Sequence, residues 1–182
     1  TDGKNPLRSN FAGGLIFADI IENRSQVEDA IAEGLPCLVI NHIAKDLNVS
    51  FLAVDNVKGG ITAAEYLINL GHKRIATVTG NMQTQAGIDR CEGFKKALAK
   101  HGIDCPAEYI YEGDYSRRSA RLAAEHFFSL DNPPTAIFAA SDEMAMEIIS
   151  MAYENGIKIP EDISVIGFDD NPAGLFGPVG LT

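Results

Sequence analysis

The chain has 182 residues, 46% hydrophobic and 22% charged, enough to bury a real core and unlike a disordered sequence. With 15 Lys and Arg against 25 Asp and Glu, the net charge is −10. That balance repels phosphate backbones, so these residues alone are not expected to bind DNA. Cys37, Cys91 and Cys105 are odd in number and widely spaced, with no CxxC pair or Cys/His cluster. No metal site, cofactor or disulfide framework is expected from them, and a reducing cytoplasm is the simplest reading. No apolar run approaches a membrane span, and Thr1 onward shows no basic start followed by an apolar stretch.

In chain order, an apolar run, a polar turn and a helically spaced segment alternate. Gly14–Ala18 reads as a strand. Ser25 and Glu28 have the spacing of a capping box, opening a helix that Gly34 stops. Cys37–Ile40 and Phe51–Val54 are further strands, the second ending at Asp55. Val57, Ile61, Ala64 and Leu67/Ile68 form a helical stripe closed by Gly71. His72, after that helix, suits a cation placed at a helix C-terminus. Arg74–Val78 is a strand, and Cys91, Phe94, Leu98 and His101 mark a helix ending at Gly102. A short strand at Tyr109–Tyr111 leads to Ser116, which caps a helix carrying Ala120, Ala123, Phe127 and Leu130. Then follow a strand at Thr135–Phe138, a helix over Ala145, Ile148, Ile149 and Ala152 stopped by Gly156, and a strand at Ile163–Phe168. Such alternation implies parallel βαβ units with helices on both sheet faces, an open α/β fold.

In open α/β folds, ligands bind outside the carboxyl ends of the strands. Those positions hold Asn41 and His42, the stretch Asn81–Arg90, Tyr115, Ser141 with Asp142, and Asp169 with Asp170. A guanidinium, carboxylates, amides and an aromatic ring suit a polyhydroxylated ligand, because Arg and Asp can each hold two hydroxyls while a ring covers a sugar's apolar face. Structural readings stand beside this one. Ser141 or Asp142 could cap the next helix, Asp169 could be a turn residue, Tyr115 could be ordinary packing, and spacing alone favours a solvated Arg90. No phosphate loop, dinucleotide fingerprint, nucleophile elbow or H-E-x-x-H motif is present, and the four histidines are scattered singly. Nothing in the sequence asks for an enzyme.

Seven stretches between residues 54 and 170 occur together and in order. They are Val54-Asp55-Asn56-Val57-Lys58-Gly59-Gly60, the run Tyr66 to Ala76 with Gly71-His72-Lys73-Arg74-Ile75, Arg90-Cys91-Glu92-Gly93-Phe94, Glu112-Gly113-Asp114-Tyr115-Ser116, Pro134 to Phe138, Ser141-Asp142-Glu143-Met144-Ala145, and Ile159 to Asp170. In this the chain resembles LacI/GalR transcription regulators, more loosely over Gly14 to Val54. The resemblance implies a two-lobed, periplasmic-binding-protein-like α/β fold of parallel sheets flanked by helices. Residues 1–54 would be a partial N-terminal lobe and 55–182 the C-terminal lobe, with a small effector held between them. Family effector contacts map onto Arg90, Asp169, Ser141 and Tyr115, and Asn41 matches a strand-end contact of the first lobe; Asp19 and His42 are neighbouring possibilities. Ser141 departs from the usual Asn or Asp, standing before a helix-capping aspartate. The resemblance also implies a cytoplasmic homodimer that senses a sugar or sugar derivative and binds operator DNA through a helix-turn-helix headpiece absent from this sequence. The alternatives are a transporter's periplasmic sugar-binding protein and a sugar-processing enzyme on a similar scaffold.

Overall fold

The computed structural model describes residues 13–18, 23–172 and 181. Thr1 to Ala12 and Asp19 lie outside them. The chain divides into two compact units, Thr1–Val54 and Asp55–Thr182.

In the first unit, β1 (Leu15–Phe17), β2 (Cys37–Ile40) and β3 (Ser50–Leu52) form a parallel sheet in the order β1-β2-β3. Its helix α1 (Arg24–Ala32) buries Val27 and Ala30. Val27, Val39 and Ala44 form a small core against Phe17, Ile31, Leu47 and Val49. The expected capping box does not form. Asn23 is the N-cap and makes no side-chain cap bond, which puts Ser25 inside the helix. Glu28 instead accepts from Arg24 Nε, 2.9 Å away, and Arg24 also pairs with Asp46 at 2.7 Å. A flexible carboxylate four residues from an arginine takes the i,i+4 ion pair once the helix begins too early for the box.

The second unit is a three-layer sandwich. Its parallel sheet has the order β5-β4-β6-β7, from β4 (Ile75–Val78), β5 (Ile110–Tyr111), β6 (Ala136–Ala139) and β7 (Ser164–Ile166). The helices are α2 (Asn56–Asn69), α3 (Gln85–Lys100), α4 (Arg117–Phe128) and α5 (Asp142–Glu154). Every residue of β4 and β6 is buried, and their side chains alternate between two cores. Ile75, Ala136 and Phe138 meet Leu67 of α2 and Phe94 and Leu98 of α3. Ala76, Val78, Ile137 and Ala139 meet Phe127 of α4 and Ile148 of α5. The Phe94 and Phe138 rings stack with centroids 6.0 Å apart.

The α/β architecture with parallel strands matches the sequence expectation, and Gly34, Gly71, Gly102 and Gly156 all take positive φ just past the helices they stop. Two details differ. The buried stripe of α2 is Gly60, Ala63, Ala64 and Leu67, while Val57, Ile61 and Ile68 are only half-buried. Small residues win the most buried positions because α2 and α3 touch backbone to backbone. A Cβ on Gly60 would strike the carbonyl of Arg90, and one on Gly93 the carbonyl of Val57. Tyr109 sits in a 3-10 turn rather than a strand, buried, its hydroxyl donating to the Asn132 carbonyl at 2.7 Å.

His72 is not a solvated dipole cation. Its ring nitrogens lie 3.0 Å from Thr135 Oγ1 and 3.1 Å from Ser164 Oγ, tying together the amino ends of β4, β6 and β7. Burial pushes its pKa below the ordinary histidine value, which favours the neutral ring.

Candidate ligand site at the carboxyl edge of the second sheet

The strand ends of the second unit gather on the edge opposite His72. Arg90, on the second turn of α3, is the centre of this edge. Its side chain is only 11% exposed, so the solvated reading does not hold. Nε donates to Asn56 Oδ1 at 2.9 Å, Nη1 donates to the Ala140 carbonyl, and Nη2 lies 3.5 Å from Asp169 Oδ1. Its Cζ stands 3.6 Å above the centroid of the Phe168 ring, a cation–π stack that sets the plane of the guanidinium. Phe168 fits there because residue 59 is glycine; a Cβ at Gly59 would run into the far edge of that ring.

Asp169 follows β7 on a turn that Asp142 holds. The Asp142 amide donates to the Phe168 carbonyl at 2.9 Å, and its carboxylate accepts from the Asn171 amide. A Cβ at Gly167 would strike that carboxylate, which explains a glycine where the strand stops short of the expected Phe168. The Asp169 side chain is 54% exposed. Partial burial raises its pKa, the Arg90 guanidinium opposes the rise, and the Asp142 carboxylate adds to it.

Ser141 is the N-cap of α5, its hydroxyl accepting from the Met144 amide at 3.4 Å. Strand-end spacing leaves the cap to Ser141 or Asp142, and the family resemblance implies Asp142; the structure gives it to Ser141, and Asp142 serves the neighbouring turn instead. Tyr115 lies past β5, and its ring occupies the space that a side chain at Gly80, past β4, would fill. Beside it, Asp114 accepts from the Ser116 amide at 2.9 Å, and hydrogen bonds from Ser116 and Ser119 pull its carboxyl down to about 2.

The second unit thus brings Arg90 and Asp169 together beside the Ala140–Ser141 strand end, with Tyr115 on the same edge over Gly80. Asn41 belongs to the first unit, where it follows β2 and its backbone N–H donates to the Leu52 carbonyl at 2.9 Å. Among the described residues, the non-glycine positions with positive φ are Asn41 (61°), Tyr115 (67°), Asp169 (102°) and Asp170 (55°). Such conformations are costly for side chains with a Cβ and gather at functional sites. All four follow strands, and three are residues expected to touch ligand. Sequence reasoning gave no site role to Asn56 or Phe168, and named Asp142 only as a strand-end carboxylate or a helix cap. Each stood inside a quoted motif, but only three-dimensional contact shows that they converge on Arg90 and Asp169. Among the described residues, no group of His, Cys, Asp and Glu could hold a metal, and no helix is long and apolar enough to cross a membrane.

A family model described as a periplasmic binding protein-like domain matches residues 64–182. The probable HTH-type transcriptional repressor ExuR of Bacillus subtilis is 32% identical over 169 residues, 93% of this chain and 50% of that protein. The HTH-type transcriptional repressor CytR of Escherichia coli is 36% identical over 135 residues, 74% of this chain and 40% of that protein. Among solved structures, a sugar-binding LacI-family regulator from Escherichia coli complexed with phosphate superposes with a TM-score of 0.84 at 28% identity, covering 93% of this chain and 62% of that one. The regulator CelR in complex with cellobiose gives 0.85 at 26% identity, covering 94% and 53%. The chain spans about half the length of the curated relatives it matches. With the family model covering more than half of it and a repressor 32% identical over 93% of it, this chain belongs to the LacI/GalR family of transcription regulators, through its periplasmic-binding-protein-like effector domain.

Proposed function

We propose that this chain is the effector-sensing part of a cytoplasmic, homodimeric transcription regulator that binds a sugar or a related polyol and performs no chemistry on it. The observation that carries this reading is the pairing of Arg90 Nη2 with Asp169 Oδ1, 3.5 Å apart at the carboxyl edge of the sheet. Arg90 has spent Nε and Nη1 on the protein. What is left is one donor edge beside one half-exposed acceptor, an arrangement that suits adjacent hydroxyls of a neutral ligand. Asp142 and Asp170 add negative charge nearby, which disfavours a phosphorylated or carboxylated ligand over a neutral one. Tyr115 supplies a ring for an apolar sugar face and Ser141 a hydroxyl; Asn41, at a strand end of the first unit, is the ligand contact this reading assigns to residues 1–54. In this reading residues 1–54 and 55–182 are the two lobes of the effector domain.

A bound ligand changes a regulator's output only through different affinities for two conformations. Operator DNA is contacted by a helix-turn-helix part outside this sequence, in keeping with the names of the matched relatives and with a net charge of −10 here. The experiment is a DNA-binding titration of the full-length regulator on its own promoter, with and without effector. Arg90→Ala should keep DNA binding and lose the effector response. Equal responses in both proteins would remove Arg90 from the site.

A further inference from the structure

All three nitrogens of the Arg90 guanidinium face protein oxygens, and those oxygens are not equivalent. Ala140 offers a backbone carbonyl at the end of β6, and Asp169 is half exposed on a turn. Asn56 is a side chain, 8% exposed, on the first residue of α2. From these observations we infer that Asn56 is the positioning residue of the ligand site, setting the rotation of the Arg90 guanidinium before any ligand arrives. The assignment takes the reading of Arg90 as a ligand contact for its functional consequence only.

The geometry follows from donor chemistry and from how rigidly the two helices are joined. A guanidinium has donors and no acceptor, so Asn56 must turn its oxygen, not its amide nitrogen, toward Nε. The Phe168 ring, 3.6 Å below Cζ, fixes the plane of the fork. Within that plane, bonds at Nε and Nη1 fix its rotation, and the Nη2 edge is left pointing at Asp169. Of these two bonds, the one at Nε is made by a side chain. The helix N-terminus that carries Asn56 is itself pinned: Asp55 Oδ1 caps α2 by accepting from the Lys58 amide at 2.9 Å. One turn further on, Gly60 lets α2 touch the backbone carbonyl of Arg90 itself. The distance from Asn56 to Arg90 is therefore set by backbone packing, and only the side chains complete it. A planar fork held at two edges loses little further freedom on binding, which is how preorganisation raises affinity.

The test is the side-chain Nε–Hε signal of Arg90 in the ¹⁵N spectrum of the intact protein, assigned by its loss in Arg90→Lys and read without ligand. In the wild type that proton is expected to be protected from exchange with water and shifted by the ring current of Phe168. Asn56→Leu, close in volume and without an acceptor, should speed its exchange about tenfold, as expected for one lost hydrogen bond. Asn56→Asp keeps the acceptor and should restore protection, a rescue that mere filling of space by residue 56 would not produce. Unchanged exchange in Asn56→Leu would overturn the inference. If that variant does not fold, a wild-type Hε that exchanges as fast as a solvent-exposed arginine overturns it equally. Loosened exchange with unaltered affinity for a neutral mono- or disaccharide that binds the wild type would uphold the role of Asn56 and sink the ligand role of Arg90, so the two failures are distinguishable.

Discussion

The two units are built from the same βαβ grammar and bury it very differently. In the second, α2 and α3 cover one sheet face and α4 and α5 the other, and β4 and β6 are buried along their whole length. In the first, pairing places Ile16 beside Leu38 and Ile40 beside Leu52 on one face, away from Val39 and its core. Ile16 is 71% and Leu52 67% exposed. Parallel sheets are normally covered on both faces, and α1, the one helix among the described residues of this unit, covers the Val39 face. Equal apolarity along a strand therefore does not mean equal burial. Among the described residues, the second unit has a large core of its own, and the first rests on far fewer side chains.

Substitutions on each side sharpen this contrast. The largest expected effect is Phe94→Ala, which empties a fully buried site stacked on Phe138 and should cost about 3–5 kcal/mol in urea unfolding followed by circular dichroism. Val39→Ala, in the small core, should cost about 2 kcal/mol. A loss at Val39 as large as that at Phe94 would break the comparison. Next comes Gly60→Ala, which adds a single methyl against the Arg90 carbonyl. Because backbone meets backbone there, the helices must separate, at about 2 kcal/mol, and the Arg90–Asn56 bond should loosen with them. If Gly60→Ala is neutral in the same unfolding experiment, α2 and α3 are not in the close register described.

How much of this was legible in the sequence depends on the range of the interaction. Helix stops were readable because Gly34, Gly71, Gly102 and Gly156 act through local φ alone. Strand positions held to within one or two residues because the apolar runs are short and bounded by turns. The edge residues Arg90, Tyr115, Ser141 and Asp169 were nameable because strand ends follow from chain order. Their partners were not. Asn56 and Arg90 are 34 residues apart, and Asp142 and Asn171 29, separations at which no periodicity carries information. The false capping box at Ser25 and the reading of His72 as a cation failed for a related reason: each used a local rule where a competing partner took over. For Ser25 it was an earlier helix start, for His72 the hydroxyls of Thr135 and Ser164.

Smaller effects test the strained and titrating positions. Asn41→Gly relieves a positive φ of 61° in the first unit and should leave stability unchanged or raise it by up to about 1 kcal/mol, while weakening effector binding. A stability loss would mean that the Asn41 side chain supports the fold. His72 gives the smallest effect, in the second unit. Its pKa is lowered in the folded state, so the unfolded chain takes up the proton first. Its contribution is full above the ordinary histidine pKa of about 6.5 and declines as pH falls from there toward the folded value. Unfolding midpoints measured from pH 7.5 to 5 should show this acid component in the wild type and lose it in His72→Gln. Parallel curves would show that the His72 ring is equally protonated in both states.

The central claim, that a neutral polyol binds at Arg90 and Asp169, is tested most directly by thermal unfolding of wild type and Arg90→Ala side by side against a panel of neutral mono- and disaccharides. At a hundredfold excess over its Kd, a true effector should raise the wild-type midpoint by about 5 °C or more and leave Arg90→Ala unmoved. A sugar that stabilises both proteins equally, or a panel that stabilises neither, would contradict the account.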